Sequence, residues 1–135
     1  MNRTNKLCIA ALVFCSSLVW GQHGTQSQQK MCAEQSAKTF EADRVVGPQI
    51  FQNDYVNHYD AKRNICYLEE LVVAKTWTSL MVIDAFELTV YAHYVSGPDG
   101  SFCNVGQATC RSEAEFNALT KQHFGISRTK LGPSK

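Results

Sequence analysis

The segment YVNHYDAKRNICY, residues 55–67, gathers side chains with catalytic potential into a short run. His58 lies between Tyr55 and Tyr59, Asp60 follows, and Cys66 comes six residues later. An imidazole oriented by a carboxylate can act as a general base, with a tyrosine as acid. Here Asp60 or Asp84 would have to orient His58. Two residues apart in an extended segment, His58 and Asp60 point the same way without being within hydrogen-bond reach of each other. The sequence has no glycine-framed serine nucleophile and no Gly-rich phosphate loop. The favoured reading is architectural. Asn57, His58 and Asp60 hydrogen-bond backbone in an irregular loop, while Tyr55 and Tyr59 pack on a sheet.

Metal chemistry finds weaker support. His58, His93 and His123 could converge with Asp60 or Asp84 as a fourth ligand, but none shows H-x-x-x-H or H-E-x-x-H spacing. His93 lies among tyrosines on an expected strand and suits a half-buried, satisfied position. His123 falls near a helix C-terminus, where the dipole favours its positive form. No Cys-x-x-Cys pair is present, which disfavours zinc and thioredoxin-like redox chemistry. No cofactor or metal is expected. In IDAFE, Asp84 and Glu87 stand three apart, which on a strand puts them on opposite faces and rules out an acid/base pair. Trp77, Phe86, Tyr91 and Tyr94 suit core packing better than a ligand platform.

The N-terminus sets the compartment. MNRTNKLCIAALVFCSSLVWG has a positive start at Arg3 and Lys6, then a mostly apolar run from Leu7 to Val19. That run is too short for a comfortable bilayer span and suits a cleavable signal peptide, residues 1–21, with export to a periplasm or medium. Phe14 before Cys15 disfavours a lipoprotein. Loss of the signal leaves roughly 110 residues, one domain's worth of chain. The whole chain carries 13 basic and 12 acidic residues. The near balance disfavours electrostatically driven binding to nucleic acid or anionic lipid.

Four cysteines remain beyond the signal: Cys32, Cys66, Cys103 and Cys110. In an oxidising compartment they imply two disulfides, with three possible pairings. The elements favour one. Residues 22–29 form a flexible leader, and a helix follows over about 29–42, with Ala33, Ala37 and Phe40 on one face. NICYLEELVVAKTW, SLMVIDAFE and LTVYAHYVS suit strands, with one long helix over 78–94 as the rival to the last two. SGPDG is a turn, and SFCNVGQATC a short hairpin with Gly106 at its bend. Ser112 and Glu115 form a capping box for a last helix, Gly125 can end it, and residues 127–135 are a tail. The single domain, residues 30–126, is then α+β. An antiparallel sheet of three to four strands carries an N-terminal and a C-terminal helix on one face. Cys103 and Cys110, seven apart across a bend, suit each other, which leaves Cys32 for Cys66.

The segments MCAEQSAKTFEAD, NHYDAKRNICY, IDAFE…VYAHY and the closing C-R-S-E-A-E-F-N-A-L together resemble a family of small exported bacterial proteins of uncharacterised function. The likeness covers about Met31 to Phe124. It departs at Asp60, where an Asn is expected, and in lacking a proline-rich stretch before Cys103. The resemblance implies a bacterial exported domain with two disulfides and supplies no activity. The expected function is a non-enzymatic binding domain with an exported or envelope partner. The alternatives are a hydrolase or metal-dependent enzyme using His58 with Asp60 or Asp84, and a structural envelope protein.

Overall fold

A computed structural model describes residues 26–128. The expected signal peptide, the first residues of the expected leader and the end of the expected tail lie outside the described residues. The described chain runs α1 (Gln26–Asp43), β1 (Ile50–Asp60), β2 (Ile65–Ala74), β3 (Thr78–Asp84), β4 (Val90–Gly97), β5 (Gly100–Val105), β6 (Ala108–Thr109), α2 (Glu113–Phe124). The six strands form one antiparallel sheet in sequential order. The α+β class is as expected, but the sheet has six strands rather than three to four.

The largest difference is β1. The stretch expected as an irregular loop is an eleven-residue edge strand. Its residues are mostly polar and none is fully buried, so it carries little of the apolar alternation that marks a strand. It is held by pairing with β2, from Ile50 opposite Ala74 to Asp60 opposite Ile65. On its outer side the Asp54 carboxylate accepts the N–H of Tyr55 at 2.8 Å. By contrast β2, next to it, is buried on both faces from Cys66 to Glu70.

Alternation along β2 divides the core in two. Tyr67 packs with Leu80, Val82, Ala92, Tyr94 and Phe116 on one face. Cys66 and Leu68 pack with Cys32, Ile83 and Ala85 on the other. The helices therefore cover opposite faces of the sheet, α1 against β1 and β2, α2 against β4 and β5. The expectation of both helices on one face is corrected by this alternation. Among the described residues no helix is long and apolar enough to cross a membrane.

α1 begins at Gln26, inside the expected leader, and its buried face is Cys32, Ser36, Thr39 and Phe40 rather than Ala33, Ala37 and Phe40. The reason is polar docking. Thr39 Oγ1 and Gln35 Nε2 both donate to the Ala85 carbonyl, at 2.9 and 3.1 Å. Ser36 Oγ lies 3.4 Å from Cys66 Sγ. The disulfides are Cys32–Cys66 and Cys103–Cys110, with Cα–Cα separations of 5.3 and 5.0 Å. Two structural disulfides are consistent with an oxidising compartment.

β3 and β4 form a hairpin, not one helix. Leu88 takes a positive φ of 58° in its turn, and Asp84 supplies the turn chemistry that no glycine or asparagine marks. Its Oδ1 accepts the N–H groups of Phe86 and Glu87 at 2.8 and 3.1 Å. Ser112 caps α2, accepting the Glu115 N–H at 3.2 Å, while the Glu115 carboxylate reaches back to the N–H of Arg111. The chain leaves α2 through Gly125 and stays packed: Ile126 is buried. Arg128, expected in the tail, pairs with buried Glu69 at 2.6 Å.

Candidate functional site

The β1–β2 turn ends beside the C-terminus of α2, and a cleft of about 660 Å³ lies between them. Turn and helix end are each fixed locally. In the turn, Asp60 Oδ1 accepts the N–H groups of Lys62 and Arg63 at 2.9 and 3.1 Å. Asn64 adopts a positive φ of 55°, and its side chain accepts the Tyr59 hydroxyl at 2.7 Å. At the helix end, Gly125 has φ 71° and returns its N–H to the Lys121 carbonyl at 3.1 Å. Only glycine suits this place, because a Cβ there would stand 3.0 Å from His58 Nε2 as well as in the left-handed region.

Arg63 joins the two walls. One guanidinium nitrogen donates to Asp60 Oδ2 at 3.0 Å and to the His123 carbonyl at 2.9 Å. The Tyr67 phenol lies near enough to this guanidinium to feel its charge. An arginine on the last carbonyls of a helix satisfies acceptors that have no partner within it. Partial burial pushes the Asp60 carboxyl up, but the N–H groups of Arg63 and Lys62 and the guanidinium charge outweigh it and hold it below its usual range. Burial raises the Tyr67 phenol, with the Arg63 guanidinium pulling against it.

His58 and Asp60 both line this cleft, with Lys62, Arg63, Lys121 and His123. Asp84 does not join them. Tyr67 is paired with His58 on one side and Asp84 on the other, so a whole strand separates His58 from Asp84. His93 is also apart. It projects between Ala92 and Tyr94, away from the face that α2 covers, and its Nε2 lies 3.3 Å from Ser79 Oγ. It is half-buried, and burial lowers its pKa. Among the described residues no group of three or more His, Cys, Asp or Glu side chains could hold a metal ion.

The arrangement suits binding of an anion. Lys62, Arg63 and Lys121 line the cleft; Arg63 and Asp60 are committed to each other and to the two walls, which leaves the charges of Lys62 and Lys121 as the cleft's positive excess. A nearly neutral chain thus has a locally cationic hollow. Lys62, Arg63, Lys121 and Gly125 were not singled out as site residues from the sequence. They meet because Arg63 and His123, 60 residues apart, are hydrogen-bonded. The adjacent basic pair after Asp60 was the one visible signal. Comparison with family models, with curated proteins and with solved structures returns no match.

Proposed function

We propose that this chain is a small exported, non-enzymatic binding domain, and that its ligand presents an anionic group to the cleft between the β1–β2 turn and the end of α2. The observation that carries the reading is the set of cationic side chains in that cleft around a carboxylate already spent on the turn. The carboxylates that an enzyme would use to orient His58 have other work. Asp60 and Asp84 each hold two turn N–H groups. The resemblance to small exported bacterial proteins supports the compartment, and so does the disulfide pair.

The test is a titration with inorganic phosphate at constant ionic strength, following backbone amide shifts. Shifts are expected at residues 58–63 and 121–125, and the double reversal Lys62→Glu with Lys121→Glu should weaken binding about ten-fold or more. Shifts scattered over the surface, or unchanged affinity in the double variant, would sink the assignment. The export half is tested by the intact mass of the secreted protein. A chain starting at Gln22 and four hydrogens light is expected, and a retained N-terminus would contradict it.

A further inference from the structure

A second cleft, of about 640 Å³, lies near the first. It sits between the first turns of α1 and the β3–β4 turn, over the Cys32–Cys66 disulfide. Its walls are mainly apolar. Met31, Ile65 and Phe86 line it, and Met31 and Phe86 are each 53% exposed. Tyr59 lines both clefts. The basic cleft is lined by Gln29 of α1 as well as by the end of α2, which covers the opposite face of the sheet. It therefore reaches round the end of β1 to the α1 side, where the apolar one begins. The start of α1 marks the same junction, with Gln29 on the basic cleft and Gln28 on the apolar one. The bond from the Tyr59 hydroxyl to Asn64 fixes the ring between the two hollows. The strand ends that border the two clefts, at His58 on β1 and Asp84 on β3, are two strand spacings apart, about 10 Å, with β2 between them.

Resting on the anion-binding reading above, we propose that the ligand is a single-chain amphipathic anion. Its charged head occupies the basic cleft, and its alkyl or acyl chain passes Tyr59 onto Met31 and Phe86. The charges fix this direction. Lys62, Arg63 and Lys121 line one end. Asp84 and Glu87 line the other, and they repel a second anionic group there. A single dissolved amphiphile suits the chain better than a bilayer. Attraction to an anionic membrane needs a broad basic face, and this chain is close to neutral, with Lys62, Arg63 and Lys121 gathered at one hollow.

The experiment compares inorganic phosphate, octyl phosphate and octanol as ligands of the mature protein, all below micelle-forming concentration and at constant ionic strength. Octyl phosphate should bind at least about ten-fold tighter than inorganic phosphate, the return on burying about two methylenes. Octanol should bind more weakly than octyl phosphate by a similar factor. Replacing the exposed apolar pair, Met31→Ser with Phe86→Ser, should abolish the advantage of the octyl chain and leave inorganic phosphate affinity unchanged. Equal affinities for the two phosphates would overturn the amphiphile and leave anion binding standing. Absence of binding by either phosphate would remove both readings. Binding to vesicles of anionic phospholipid without binding of dissolved octyl phosphate would overturn the proposal in favour of a membrane surface.

Discussion

At Asp60 and at Asp84 the same device recurs: an aspartate at the end of a strand accepts two backbone N–H groups of the turn that follows. Asn and Asp do this because their short side chains reach the backbone two and three residues on. The device gives both carboxylates a part in the local backbone of their turns. Gly125 carries a different constraint. Gly125→Ala should cost about 2 kcal/mol, part from the left-handed φ and part from the His58 ring. In a His58→Ala background the steric share should vanish, and a double-mutant cycle by urea denaturation measures it. Strict additivity would show that the imidazole does not press on the helix end. Glu70 is the third residue of note. It is buried near Asp43 and paired with Tyr55 and Met81 across the sheet. Burial, then the Asp43 charge, raise its pKa from 4.5 to about 6. A raised folded-state value means that its contribution is fully present below about pH 4.5 and lost as pH rises through about 6. Glu70→Gln should therefore stabilise the protein at pH 8 by about 2 kcal/mol and change little at pH 4. Denaturation midpoints at the two pH values check this, and equal effects at both would contradict it.

Among the elements, legibility followed burial. β2 and β3 announce themselves through β-branched and aromatic residues that the sheet buries. α2 carries its start and stop signals, Ser112 and Gly125, in plain view. β1 does not, because an edge strand needs an apolar face only where something covers it, and Gln52, Asn53, Asp54 and Asn57 give no alternation to follow. For α1 the apolar spacing locates the helix but assigns it the wrong face. Its docking face includes Ser36 and Thr39, whose hydroxyls meet Cys66 and the Ala85 carbonyl, so an apolar stripe is the wrong guide. The β3–β4 turn was obscured for a third reason: Leu88 occupies a conformation that glycine or asparagine usually takes. Leu88 is exposed and packs little, so Leu88→Gly should stabilise the hairpin by about 0.5–1 kcal/mol. Thermal or urea denaturation would read the gain, and a loss would mean that the leucine side chain holds the turn after all.

For the molecule as a whole, the disulfides do different work. Cys32–Cys66 ties α1 to the start of β2 across 34 residues, and Cys103–Cys110 closes a local loop of seven. In a chain-entropy account these are worth about 4 and about 2.5 kcal/mol, so Cys32→Ala with Cys66→Ala should cost more than Cys103→Ala with Cys110→Ala. Denaturation of the two double variants orders them, and the reverse order would show that α1 is held mainly by its polar docking. The pairing was legible because cysteines belong to few partners. The cleft was not, since it exists only where the first hairpin meets the end of the last helix. Nor was the Arg128–Glu69 ion pair, which needs the chain after α2 to run back over the sheet. β1 is a long strand at the rim of the sheet, the kind of rim that recruits strands from neighbouring molecules into fibrils. Asp54 folds its carboxylate over the Tyr55 N–H and so occupies, within the same chain, a bond that an incoming strand would need. It also sets a charge where two such rims would meet. Asp54→Ala should leave the fold nearly as stable and shorten the lag before thioflavin-positive assembly. That would make one aspartate the guard that keeps the rims of neighbouring copies apart.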